Sequence, residues 1–162
     1  MHPTIYLDTS VVCHLTDPPS SNAITRACQQ LTQLWWHTRC VRSQTHVSEY
    51  VIQEIREGDP LRAARRFNEV QYLNQFAAGE RVTAVSELLL LGGGLTAKAR
   101  KASEQIACAA VNHCEILLTW NCRDIANAEK LPLLRMLMQG AEWGLPELVT
   151  PFEIMENRYE NL

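Results

Sequence analysis

The sequence predicts an α/β protein in which a central, mostly parallel sheet carries helices on both faces. Three observations lead there. Short, apolar, partly β-branched runs recur, such as Thr4-Ile-Tyr-Leu-Asp8 and Glu115-Ile-Leu-Leu-Thr119, and these suit strands buried on both faces. Between such runs lie stretches with helical apolar spacing, bounded by Ser, Asp, Gly or Pro at capping positions. The two kinds alternate, which is the signature of crossover connections between parallel strands. With 162 residues, 46% of them hydrophobic, the chain fits one domain spanning 1–162 around a single core.

Each element has a local reason. Thr4 to Asp8 reads as a first strand ending in an acid, and Asn22 to His37 as a helix through the spacing of Ile24, Ala27, Leu31, Leu34 and Trp35. A second short strand ends near His46-Val47, where Ser48 caps a helix from Glu49 to Glu57 that Gly58 closes. Asp59-Pro60 opens the next helix, with Leu61, Ala64, Phe67, Val70 and Tyr72 on one side. Arg81 to Val85 predicts a third strand, and Leu88 to Leu91 a helix that Gly92-Gly-Gly94 ends. Thr96 caps a helix over 97–112 that buries Ala102, Ile106, Ala109 and Ala110, and this helix feeds the strand at 115–119. Leu131 to Gln139 follows as helix, Glu147 to Thr150 as a strand, and Pro151 opens a terminal helix. There is no internal repeat, linker or low-complexity segment.

Composition narrows the function classes. Fifteen Lys plus Arg stand against 18 Asp plus Glu, a formal net charge of -3, so no global positive field attracts nucleic acid. Contact with nucleic acid must then be local or metal-mediated. The six cysteines form no CxxC pair and no zinc-type spacing, and no signal peptide precedes them, which predicts reduced thiols and a cytoplasmic protein. Apolar runs such as Leu88 to Leu91 are far too short to span a membrane. Gly92-Gly-Gly94 lacks the Gly-Lys-Ser/Thr ending of a phosphate loop, and the five histidines form no HxH or HExxH pattern. No GxSxG motif is present.

The acids carry more information. Ligands and catalytic groups in open α/β sheets gather beyond the carboxyl ends of the strands. Asp8 follows the first strand, Glu54 lies in the helix after the second, and Asp124 follows the strand at 115–119, with Asn121 beside it and Ser10 close to Asp8. Taken singly, each acid also has a structural role open to it: a turn cap for Asp8, a solvated helix position for Glu54, an N-cap for Asp124. Gathered at one end of the sheet they would repel one another unless a divalent cation neutralised them. Hard oxygen ligands that leave water in the shell suit Mg²⁺ or Mn²⁺.

Four segments resemble the PIN-domain ribonucleases, a family that includes the toxin components of bacterial toxin–antitoxin pairs. IYLDTSVV resembles the family's opening strand with its first acid at Asp8, and HVSEYVIQEIREGDP the segment whose second acid is Glu54. LLTWNCRDIANAE is similar to the segment that brings Asp124 and Asn121, and LPELVTPFEIM to the closing strand and helix. Together they span nearly the whole chain. The resemblance implies a PIN-like three-layer α/β/α fold and Mg²⁺- or Mn²⁺-dependent cleavage of RNA phosphodiesters. Asp8, Glu54 and Asp124 would be the metal ligands and catalytic residues, with Ser10 and Asn121 orienting them. It also implies a homodimer or a cognate antitoxin protein as partner.

One position departs from the pattern. Family members usually carry a third Asp near the start of the helix before LLTWN, and counting back from Thr119 places it at Ala102, or at Ser103 with a one-residue shift. Glu104 is no substitute, since residues on a helix turn roughly 100° each and it points about 200° away from Ala102. The alternative expectation is therefore a catalytically impaired PIN-fold module that holds RNA or a protein partner. The basic clusters around Arg65 and Arg66 and around Lys98 and Lys101 read first as solvated helix faces; if RNA binds, these four residues are the expected phosphate contacts, since backbone contacts give most of the salt-dependent affinity. Trp35-Trp36 and Trp120 are aromatic residues able to stack on unpaired bases, although core or dimer packing is the role expected of Trp35, which continues the apolar face of its helix.

Overall fold

A computed structural model of the chain describes residues 1–156. Five short strands form one all-parallel sheet: β1 (Ile5–Leu7), β2 (Thr45–Ser48), β3 (Asn74–Phe76), β4 (Ile116–Leu118) and β5 (Glu147–Val149), in the order β3-β2-β1-β4-β5. The register pairs Ile5 with Thr45 on one side and with Ile116 on the other. β1 and β4 sit at the centre and every residue of both is buried. This is why their sequences read as unbroken apolar runs.

Among the described residues eight α-helices surround the sheet. They are α1 (Thr9–Thr16), α2 (Ala23–Thr38), α3 (Glu49–Ile55), α4 (Pro60–Val70), α5 (Glu80–Leu91), α6 (Arg100–Val111), α7 (Leu131–Gly140) and α8 (Pro151–Met155). The chain steps from β1 to β2 to β3 in one direction, then returns past β1 to β4 and on to β5. Right-handed crossovers therefore place α1 to α4 on one face and α5 to α7 on the other. The packing agrees: α1 lies against α2 and α4, α2 against α8, and α5 against both α6 and α7. The α/β class and the helix-flanked parallel sheet are as the sequence predicts, and they are consistent with a three-layer α/β/α arrangement.

Caps fix the helix starts. Asn22 accepts from the Thr25 amide, Ser48 from Val51, Asp59 from Arg62, and Thr150 forms a reciprocal capping box with Glu153. Among the described residues no helix is long and apolar enough to cross a membrane.

Local expectations fail at several points: Thr96 makes no capping hydrogen bond and a 3-10 turn, Ala97–Ala99, precedes α6, while Tyr72 lies beyond the end of α4 and is exposed. Arg81 to Val85 is not a strand but part of α5, where Val82, Val85, Ser86 and Leu89 are buried at helical spacing. The third strand is Asn74–Phe76, a polar edge strand with no hydrophobic signature that pairs with β2 alone. In α2 the buried residues are Gln29, Thr32, Trp35 and Trp36, while Ile24 is 77% exposed and Leu34 50%. There the Arg42 guanidinium sits 3.7 Å from the centre of the Trp36 ring, and polar Thr32 and Gln29 face inward toward hydrogen-bond partners.

The turn after α5 is a close approach. A Cβ at Gly92 would come within 2.5 Å of Leu137 Cδ2 and 2.9 Å of the Leu88 carbonyl oxygen. Gly92→Ala is therefore expected to lower the unfolding free energy by about 1–3 kcal/mol in urea denaturation. Gly144→Ala, where an added Cβ meets nothing within 4 Å, is the control and should change little.

Candidate active site

The strand order reverses between β1 and β4, so the crevice beyond their carboxyl ends is where an α/β sheet collects ligands. Asp8 is the first residue past β1 and Thr119 the first past β4. The Asp8 amide donates to the Leu118 carbonyl, which continues the sheet pairing to the rim. Asp8 stands at the N-cap position of α1, yet its side chain makes no capping hydrogen bond. It turns into the crevice instead, where its Oδ2 accepts from Ser10 Oγ at 2.6 Å and Thr119 Oγ1 at 2.7 Å. The two hydroxyls are themselves braced, since Ser10 Oγ accepts from the Trp120 amide and Thr119 Oγ1 from the Asn121 amide, each at 2.9 Å.

Glu54 joins this arrangement through Thr9. Thr9 Oγ1 donates to Glu54 Oε2 at 2.7 Å, and Gln105 Nε2 donates to Glu54 Oε1 and to Thr9 Oγ1, both at 3.2 Å. The Gln105 carbonyl oxygen accepts from the Tyr6 hydroxyl, and Ser48 Oγ closes the chain at 2.6 Å from that hydroxyl. Tyr6, Ser48 and Gln105 are almost fully buried. A fully satisfied buried network of this kind fixes side-chain positions tightly.

Asp124 behaves differently. Its backbone amide is capped by Asn121 Oδ1 at 3.0 Å, but its carboxylate is taken by two cations, Lys130 Nζ at 2.8 Å on Oδ1 and Arg123 at 3.2 Å on Oδ2. Asp8 and Glu54 are brought together; Asp124 is committed to its ion pairs.

The electrostatics follow. Burial pushes the Asp8 carboxyl above its ordinary value, against the hydrogen bonds from Ser10 and Thr119. Burial does the same to Glu54, with the nearby Asp8 charge adding to it and Thr9, Lys101 and Gln105 opposing. At Asp124 burial also acts upward, but the bonds and charges of Lys130 and Arg123 outweigh it and hold the carboxyl below the usual range.

Among the described residues no group of three or more His, Cys, Asp and Glu side chains is spaced to hold a metal ion. The donor set nevertheless fits a hard cation in one respect. Among the described residues two carboxylates share one rim without a basic side chain bonded to either, and Mg²⁺ or Mn²⁺ often takes only one or two carboxylates and keeps several waters. Asp124 in its present pairing is not one of them.

The remaining expected residues are spread more widely. Ala102 is buried, and buried Ser103 bonds Ser86 and the Arg100 carbonyl. Lys101 pairs with Glu57, with both side chains largely exposed, and Arg66 pairs with Asp17 and is only 12% exposed. Arg65 and Lys98 lie at the surface. Sequence reasoning missed Thr9, Gln105, Thr119 and Lys130. Gln105 had a usable signal: it lies one helical turn after Ala102, on the same face of α6.

Two outcomes are expected. Gln105→Leu leaves Tyr6 and Glu54 each short of a partner and should lower stability by about 1–3 kcal/mol in urea denaturation. The second concerns pH. Asp8 and Glu54 hold their protons more tightly folded than at their ordinary values of 3.8 and 4.5, so their contribution to stability is fully present below those values. It is lost as the pH rises through the raised values. The metal-free protein should therefore show a melting midpoint that falls across this window, with a shallower fall in Asp8→Asn. An equal slope in the variant would remove Asp8 from this account. Asp124 acts in the opposite sense and below this window, its contribution being lost as pH falls through its depressed value.

No known protein-family model matches the chain, and no curated protein matches its sequence.

Proposed function

We propose that the protein is a PIN-type, Mg²⁺- or Mn²⁺-dependent endoribonuclease of the toxin class, with Asp8 and Glu54 as its principal cation ligands. The observation that carries this reading is the meeting of two acids from separate crossover units around Thr9 at the topological switch point. A bound divalent cation would supply an activated water and neutralise charge on a phosphoryl oxygen. The chain's own residues set the stage. Ser10 and Thr119 orient Asp8, and Thr9 and Gln105 orient Glu54. Asp124, braced by Asn121, holds Lys130 and Arg123 where cationic groups can meet a phosphate. The PIN likeness carries with it RNA as substrate and a homodimer or a cognate antitoxin as partner, and we propose a cytoplasmic location from the cysteine usage. The six free cysteines are in keeping with that compartment.

A second reading has its own support. The ion pairing of Asp124 and the absence of an acid at Ala102 or Ser103 favour a catalytically impaired module that binds RNA or a protein without turnover. Calorimetric titration of Mn²⁺ into the purified protein and into Asp8→Asn separates the two. Saturable binding that is lost in the variant, with RNA cleavage abolished by the same change, is the outcome expected of the nuclease. RNA binding without a divalent ion, and no cleavage with one, would establish the binding module instead. In that case Ala102→Asp combined with Lys130→Met is expected to create metal binding.

A further inference from the structure

A groove of about 380 Å³ opens beside the carboxylates, walled by Ile24, Ala27, Cys28 and Leu31 of α2, Trp120 after β4, and Phe152 of α8. Among the described residues no charged side chain lines it. Ile24 is 77% exposed and Phe152 50%, so this is the apolar stripe of α2 that the core leaves outside. We propose that the groove is a base-binding subsite, taking one unpaired nucleobase of an RNA strand whose backbone passes Ser10 and Arg123. This rests on the RNA reading above and adds to it the part of the substrate that is recognised.

Three features favour a nucleobase over a purely apolar occupant. The first is a fixed aromatic wall. The Trp120 indole N–H donates to Thr32 Oγ1 at 2.7 Å and the His14 ring stacks 5.7 Å from it, so the ring is held before any ligand arrives. Binding to such a platform costs little ordering entropy. The second is continuity. The Trp120 amide donates to Ser10 Oγ, the same hydroxyl that donates to Asp8, so one residue separates groove from carboxylate. A base in the groove would leave its own phosphate at that rim. The third is charge. Three residues beyond Trp120, Arg123 has an 82% exposed side chain, and with Lys130 it places two cations on the single carboxylate of Asp124. These two cations, held on one carboxylate beside the groove, can meet a phosphodiester directly, a contact that an apolar peptide would leave unused. The groove also lies at the correct end of the sheet, since Trp120 follows β4 and Phe152 follows β5.

The test uses a uridine hexamer and an abasic hexamer of equal charge, each titrated into the full chain with EDTA present. Stacking of a base on an aromatic side chain predicts roughly five- to one-hundred-fold tighter binding of the uridine hexamer. Ile24→Glu, at a solvent-facing position that tolerates substitution, should abolish that preference, while its added charge weakens both hexamers alike through their phosphates; Trp120→Leu should also abolish the preference, without the added repulsion. Equal affinities of the two hexamers would overturn the subsite and leave the carboxylate reading standing. Failure of either hexamer to bind would also overturn it, and the Mn²⁺ titration, which does not involve the groove, then decides the fate of the carboxylates separately. Should the protein sediment as a dimer that Ile24→Glu dissociates, with the hexamer preference unchanged, the groove belongs to a second copy and the proposal falls.

Discussion

The burial of Asp8 is the constraint around which the crevice is organised. A carboxylate removed from water is costly unless donors replace the lost hydration. At the end of a central parallel strand the nearest donors must come from neighbouring chain segments. Thr119, first past β4, supplies one hydroxyl and Ser10, in the first turn of α1, another. Each hydroxyl has a single proton to give, and each gives it to Asp8, so each needs a donor of its own to its lone pairs. The amides of Trp120 and Asn121 provide these. The polar run after β4 is thus explained residue by residue: Thr119 bonds the acid, and the next two amides bond the groups that bond the acid.

Glu54 is held by a second chain of the same logic, and that chain couples the site to the fold. Ser48 Oγ accepts from the Val51 amide, which caps the helix that carries Glu54, and it also reaches the Tyr6 hydroxyl. Tyr6 lies on β1, Ser48 ends β2, Gln105 belongs to α6 and Thr9 begins α1. A displacement of any one of these elements would therefore misplace the carboxylate. Gln105 contributes an amide, and hence a donor, where another acid would have added a charge. The result is a site that binds fewer negative groups together and carries less repulsion without a cation.

How much of this was legible in the sequence depended on whether the signal was local. β1 and β4 were visible because buried parallel strands are short apolar runs, and the helix starts were visible because Asn22, Ser48, Asp59 and Thr150 announce themselves as caps. β3 was invisible because an edge strand of Asn, Gln and Phe owes its conformation to pairing with β2. The site divided in the same way. Asp8 and Glu54 could be picked out from their positions relative to strand ends. Thr9 and Thr119 could not, because a hydroxyl's role depends on which acid it faces. The pairing of Asp124 with Lys130 lies six residues apart across a loop with no periodicity, so no spacing rule could forecast it.

Asp124 then deserves comparison with Asp8, because two aspartates at one end of one sheet have opposite electrostatics. Both are nearly buried, at 6% and 5% exposure, so burial alone does not distinguish them. Neighbours do: hydroxyls and a second acid surround Asp8, whereas an ammonium and a guanidinium bind Asp124. An acid ringed by neutral donors retains an appetite for a proton or a cation. An acid already paired with two cations has none, and its effect is to hold those cations in place. The rim beyond β1 and β4 is in this way split into an anionic part and a cationic part. Under the proposed nuclease reading, one half would serve a metal-borne contact to a phosphate and the other a direct one. The separation is fixed by Lys130: with that side chain removed, Asp124 would lose its closest counter-charge and its preference would turn toward that of Asp8.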